Sequence, residues 1–304
     1  MITTIASQQS LLLRRQRVAL VGLVTMLAVT AMAGVLGWSS HHTIVRVFDQ
    51  AVRLQAAAGQ PAPPNPFLLK PNLSLLSNMV VYIPLIGALL ALVVGHLSMV
   101  DDQSKGMGRL LFTRQVTRTQ YALGKVLAST RFLALTLAGC GLVSLAALLV
   151  VNGTLGPSDL GRLAGFYVLS WAYLVVFVLV GMLTALLTRR RSLALLSAIG
   201  VWLVVTFVVP QFTSGLRPTQ SLNPLTEPVG ASQAFFRVTQ RAQSLSIVEQ
   251  YKTAAGTILG TSPTSPTTET VLTIVPVVVA GFLLIGLVLW RIQRHDYAGS
   301  ASDE

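Results

Sequence analysis

The sequence predicts an all-α integral membrane protein with six transmembrane helices and both termini on the cytoplasmic side. Three observations carry that prediction. The 304 residues are 53% hydrophobic and 11% charged, with a mean hydropathy of +0.68, whereas a soluble domain carries roughly a quarter charged residues. Six apolar runs, at 18–38, 79–100, 132–151, 163–187, 193–212 and 271–290, are each 20 to 25 residues long. A helix needs about 20 residues to cross a hydrocarbon core of ~30 Å. With the N-terminus inside, 14 of the 22 Lys and Arg fall in segments that face the cytoplasm, as the charge bias of membrane topology requires.

None of the runs contains Asp, Glu, Lys or Arg, and the one imidazole among them is His96. Backbone polar groups in such runs must bond internally, so helices are expected. The turn-punctuated alternation of a membrane barrel is absent.

Residues 1–17 form a cytoplasmic amphipathic segment, although Leu11–Leu13 is a cluster rather than a stripe. Arg14, Arg15 and Arg17 hold it inside. A cleavable signal peptide is the competing reading, because Ala31-Met32-Ala33 precedes Gly34. The run continues to Trp38, however, and so exceeds a usual signal core. Cleavage would leave five spans. Trp38 and Trp290 stand at span ends as interfacial anchors do.

The external segment 39–78 begins as a continuation of the first span, with Ile44, Val47, Phe48, Ala51 and Leu54 at helical spacing. Gly59 ends this stalk, and Pro61, Pro63, Pro64 and Pro66 enforce an extended return. A short turn at 152–162 joins spans three and four. The basic turn 188–192 carries Arg189, Arg190 and Arg191.

The external loop 213–270 is the largest segment outside the membrane. Asn223-Pro224 reads as a turn. A helix is expected over 232–259, with Phe235, Val238, Leu245 and Val248 near one face, and residues 261–268 read as an extended linker. That helix either rests on the outer membrane surface and caps the bundle, or serves as a gate or docking site. The tail 291–304 is cytoplasmic and carries Arg291 and Arg294.

The composition excludes several chemistries. A net charge of +12 can mark a nucleic-acid partner, but here the bases sit in short membrane loops and no nucleic acid is expected. Cys140 is alone, so neither an intramolecular disulfide nor a multi-Cys metal site can form. His41-His42 reads as a solvated pair, and no metal site is predicted. His96, one turn from a span end, snorkels or bonds a neighbouring helix.

No G-x-x-x-x-G-K-[ST] motif is present, since Gly124-Lys125 is followed by Val126 without a Gly-rich loop before it. H-E-x-x-H, G-x-S-x-G and carboxylates paired within a span are also missing. No catalytic residue is predicted. An ion-coupled secondary transporter places ionisable groups at mid-membrane depth. These spans offer only hydroxyls there, such as Thr136, Ser144, Ser170, Thr184 and Thr206. A non-transporting scaffold for an external complex would share the topology. Ala134, Ala138, Gly141 and Gly281 are small enough to permit close helix packing.

The richest signal is the inside loop 101–131, DDQSKGMGRLLFTRQVTRTQYALGKVLASTR. Gly106 and Gly108 make a flexible break, and Leu110, Leu111 and Phe112 form a short apolar knob. Thr117 and Gln120 have capping-box spacing, so a helix starts near Arg118 and runs into span three. Arg109, Arg114 and Arg118 can fork onto carboxylates of a partner. A basic loop that fixes topology and binds anionic lipid is the alternative.

The order of residue types resembles the segment after the second span in ABC-2-type transporter permeases. The matching residues are Asp102, Gly106, Leu110, Leu111, Val116, Thr117, Arg118, Gly124 and Lys125. Gln115 stands where the family usually has Pro, and Asp102 where Glu is commoner. The resemblance implies that this loop is a coupling helix riding in a cleft of a separate ATPase subunit. Asp102, Gly106, Arg109, Leu110, Leu111, Phe112, Arg114 and Arg118 would serve that contact, with Arg189 and Arg190 beside it or simply anchoring topology.

The resemblance further implies ATP and Mg in two copies of the partner, a second copy of this chain, and export across a bacterial cytoplasmic membrane. The chain itself needs no cofactor. The loop arrangement is most similar to permeases serving nitrous-oxide reductase maturation, which implies an extracytoplasmic accessory protein and a chain that transports or only transmits force.

Overall fold

The computed structural model describes residues 2–61, 72–103, 117–188, 190–214, 240–261 and 268–294. Eight helices organise them. A short amphipathic helix, α1 (Ile2–Arg15), turns at Gln16 into α2 (Arg17–Ala57). After a 3₁₀ turn at Asn72–Leu76 comes α3, built from Met79–Tyr82, a π-helical turn Ile83–Gly87 and Ala88–Gln103. Then follow α4 (Arg118–Asn152) and α5 (Pro157–Leu187). Next is α6, composed of Arg191–Leu203, a second π turn Val204–Val208 and Val209–Ser214. A 3₁₀ turn, Gln240–Leu245, leads into α7 (Ile247–Leu259), and α8 (Thr268–Arg294) closes the order. All of these elements are helical.

Six helices are long and apolar enough to cross a membrane: α2, α3, α4, α5, α6 and α8. The apolar runs turn out to be parts of longer helices. The stalk is continuous with the first span, since α2 runs unbroken to Ala57 and ends before Gly59 at φ +65°. The fourth helix starts at Arg118, well before its apolar run, because Thr117 completes a reciprocal capping box with Gln120. Two backbone donors that a helix start leaves open are thereby satisfied.

The centre of the bundle is the pair α3 and α5, which share the most extensive interface. Two glycines make their close approach possible. A Cβ on Gly95 would collide with the carbonyl of Val178, and a Cβ on Gly181 with the carbonyl of Leu92. Backbone therefore meets backbone at this crossing, as small residues allow in membrane bundles. The glycines singled out in the sequence play no such part: Gly141 has ordinary contact with Tyr167, and Gly281 faces open space.

Around that pair, α2, α4, α6 and α8 expose broad apolar faces, including Val21, Leu142, Leu196 and Phe282. Such faces suit a hydrocarbon surrounding. The hydroxyls within the spans mostly bond their own helices: Thr136 donates to Phe132 O and Thr184 to Gly181 O. Trp202, just before the π turn of α6, donates its indole N–H to Pro84 O in the π turn of α3, 3.2 Å away. The two irregular turns are thus linked.

Candidate functional site

The face that carries α1 is built around the start of α4. The buried side of α1 is Ala6, Gln9 and Leu13, with Ile2 and Ile5 half-buried, while Leu11 and Leu12 are exposed. Spacings of three and four residues along Ala6, Gln9 and Leu13 make one helical face. The apolar cluster in the sequence hid this face, because two of its three leucines point outward.

That face packs on Gly124, where a Cβ would lie 2.7 Å from Ile5 Cγ2 and 3.3 Å from Ile2 O. The next residue, Lys125, is 2% exposed. Its Nζ donates to Gln9 Oε1 at 2.7 Å and to Ser98 O at 2.8 Å, and lies 5.4 Å from the centre of the Tyr121 ring. One ammonium therefore reaches α1 and the end of α3 from the start of α4. Arg118 donates from Nη1 to Gln293 O near the end of α8. Residues 104–116 join α3 to α4 next to these contacts in the sequence.

Of the ten residues predicted to meet an ATPase, Arg118 and Arg190 have described side chains. Arg118 is exposed and reaches across to α8, and Arg190 is exposed at the start of α6. For Asp102 only the helical backbone of α3 is described. Gly106, Arg109, Leu110, Leu111, Phe112, Arg114 and Arg189 lie outside the described residues. Sequence reasoning matched Gly124 and Lys125 to a pattern without finding their work. Their partners, 116 and 27 positions from Lys125, leave no local signature.

The opposite face holds α7. Phe235 and Val238 lie outside the described residues, and the long helix expected over 232–259 is interrupted. The 3₁₀ turn ends at Leu245, Ser246 accepts from the Glu249 N–H as an N-cap, and the α-helix begins at Ile247. The break separates two residues placed on one face: Leu245 is 78% exposed and Val248 fully buried. Nor does α7 rest on lipid by an apolar stripe. Val248, Tyr251, Ala254, Ala255 and Leu259 are all buried, and the helix packs on α5 and α8.

Side chains seat α7 firmly. The Tyr251 ring stacks on Tyr173 of α5, with centroids 4.5 Å apart and planes at 30°, a favourable aromatic arrangement. Tyr251 Oη is 2.9 Å from Ser170 Oγ. Ser170 already donates to Phe166 O, so Tyr251 supplies the proton for their contact. Glu249 Oε2 meets Thr213 Oγ1 of α6 at 2.6 Å. Burial raises the Glu249 pKa, against the lowering influence of Thr213, Ser246 and Lys252. Burial lowers that of Lys252, which the Glu249 charge opposes. On the stalk, His42 packs against Trp38, ring centroids 5.2 Å apart.

Comparison with known proteins settles the family. A model of the ABC-2 family transporter proteins matches residues 1–297. The chain belongs to the ABC-2 family of transporter proteins. No curated protein matches it at a significant level. This ABC-2 chain is accordingly a permease subunit and a multi-pass membrane protein, and its family implies a partner ATPase in general.

Proposed function

We propose that this permease subunit couples ATP hydrolysis in a separate nucleotide-binding subunit to export, or to force transmission, across a bacterial cytoplasmic membrane. Two permease copies stand over two ATPase subunits, and ATP and Mg are held by the ATPase. Both termini and the segment 104–116 lie on the cytoplasmic side. The observation that carries this reading is the frame around that segment. Its following helix is capped at Thr117, and Lys125 reaches both the end of α3 and α1. A loop pushed by a partner moves helices only if its ends are held, and these ends are. The external stalk and α7 are where an extracytoplasmic accessory protein would meet the chain.

The test combines topology and coupling. In a Cys140→Ala background, single cysteines at Gly59, Gly153 and Thr264 should react with an impermeant thiol reagent outside sealed cells, while cysteines at Gly108 and Ser192 should not. Co-expressed with its ATPase, the chain should form a stable complex, and Leu111→Asp should prevent assembly or uncouple hydrolysis. A charge forced into an apolar socket costs several kcal/mol unless it is paired. Outside labelling at position 108, or normal coupling in Leu111→Asp, overturns the reading.

A further inference from the structure

We propose that Lys125 is a positioning residue for the coupling step. It clamps α1 and the end of α3 to the start of α4, so that the three move as one body when the segment 104–116 is displaced. The proposal rests on the coupling reading above and deepens it.

The chemistry of the clamp is specific. An ammonium is a compact charge with three donors on a flexible four-carbon stem. Here it serves a side-chain amide on one helix and a main-chain carbonyl on another, both within 2.8 Å. A buried cation is costly to desolvate, and its site could have been filled by an apolar side chain at no such cost. A charge kept under those conditions marks a demand for directional bonds that packing alone does not meet. Packing alone is already present, because Gly124 lets Ile2 and Ile5 lie directly on α4. Gly124 brings the helix close, and Lys125 fixes where along α4 it sits.

The position of the clamp adds a mechanical argument. Ser98 lies one and a half turns before the end of α3, and Lys125 two turns after Thr117. The clamp therefore closes the base of the segment between them. α1 continues through Gln16 into α2, and so into the stalk. A displacement entering at 104–116 thus reaches the stalk through Gln9, rather than dissipating as independent motion of α3 and α4.

Three variants test this: Lys125→Met, which keeps the stem and removes the donors, Gln9→Leu, which removes the acceptor on α1, and Lys125→Arg. In the isolated full chain, Lys125→Met and Gln9→Leu should speed amide hydrogen exchange in Ile2–Arg15 about tenfold while exchange in α5 stays at the wild-type rate. In the complex with the ATPase, spin labels at Ala56 and Gly153 should change spacing on addition of ATP and Mg in wild type. Lys125→Met should lose that change while hydrolysing ATP within about twofold of wild type. Lys125→Arg, which keeps a charged donor, should recover most of it.

A purely structural lysine predicts otherwise, namely loss of hydrolysis and assembly together with the spacing change, and that result overturns the proposal. Unchanged exchange in α1, or an intact spacing change in Lys125→Met, also overturns it. If wild type itself shows no ATP-dependent change, the coupling reading falls and takes the positioning role with it. That failure is recognisable, because exchange in α1 would still respond to the variants.

Discussion

At the α1 face, one buried ammonium reaches a side-chain amide on α1 and a main-chain carbonyl on α3. At the opposite face, a tyrosine stack and a carboxyl seat α7 among α5, α6 and α8. The first attachment depends on direction: α1 lies on one surface of α4, and half of it is exposed. The second depends on shape, because Val248, Tyr251, Ala254, Ala255 and Leu259 are all enclosed. Damage at the two faces should therefore differ in kind. Loss of the clamp should change what the helices do together, and loss of the seat should change whether they stay folded.

The largest effect should come from the crossing that both faces share. Gly95→Leu or Gly181→Leu puts a side chain against a main-chain carbonyl, which no rotamer change relieves. Overpacking costs typically ~1–3 kcal/mol when side chains can shift. Here α3 and α5 must part, so the loss should exceed that range. Neither variant should give a monodisperse species by size exclusion in mild detergent, and both ends should become protease-sensitive together. A variant that left one face protected would show that the faces fold independently.

The next effect separates the faces. Tyr251→Ala empties a fully buried site, and large aromatic-to-Ala changes cost about 3–5 kcal/mol in water-soluble cores. Lipid competes with protein as an apolar surrounding, so the transfer part of that cost shrinks within a bilayer while the cavity part remains. A loss of about 3 kcal/mol is expected for Tyr251→Ala. Tyr251→Phe keeps the stack and loses one neutral hydrogen bond, about 1 kcal/mol. Thermal unfolding in nanodiscs should rank wild type, Phe, then Ala, with exchange in Ile2–Arg15 unaffected. Faster exchange in α1 on Tyr251→Ala would erase the distinction between the faces.

What the sequence made legible was local. Six apolar runs, the stalk and the capping box at Thr117 each rest on residues within a few positions of one another. The crossing at Gly95 and Gly181 was not legible, because close approach is a property of two helices and not of either glycine. The clamp was hidden for the same reason, and the buried face of α1 was masked by Leu11 and Leu12. The start of α7 was a missed local signal: Ser246 and Glu249 have the Ser-x-x-Glu spacing of a helix start. The apolar spacing of 235, 238, 245 and 248 instead suggests a helix that runs through that cap. The knob at Leu110–Phe112 was legible as a pattern, and it lies outside the described residues.

The smallest effect concerns the carboxyl at the seat of α7. Thr213 Oγ1 lies 2.6 Å from Glu249 Oε2 and 3.0 Å from Val209 O. A hydroxyl carries one proton, and Thr213 shares it between the two acceptors. Burial raises the Glu249 carboxyl above its ordinary 4.5, against the lowering influence of Thr213. The sign for stability follows from linkage. A folded state that holds the carboxyl proton more tightly than the unfolded chain is favoured fully below the ordinary value. The contribution fades as pH rises through the raised one. The hydrogen bonds from Thr213 and Ser246 and the Lys252 charge oppose the burial and limit how far up that loss lies. Glu249→Gln presents a neutral group at every pH and keeps an oxygen for Thr213. Wild type should therefore lose thermal stability relative to Glu249→Gln as pH is raised from about 4.5, with the two curves converging at the acid end. Parallel curves would mean that Glu249 is as readily ionised in the fold as in the unfolded chain. The seat of α7 would then be held by a charge, as the α1 face is.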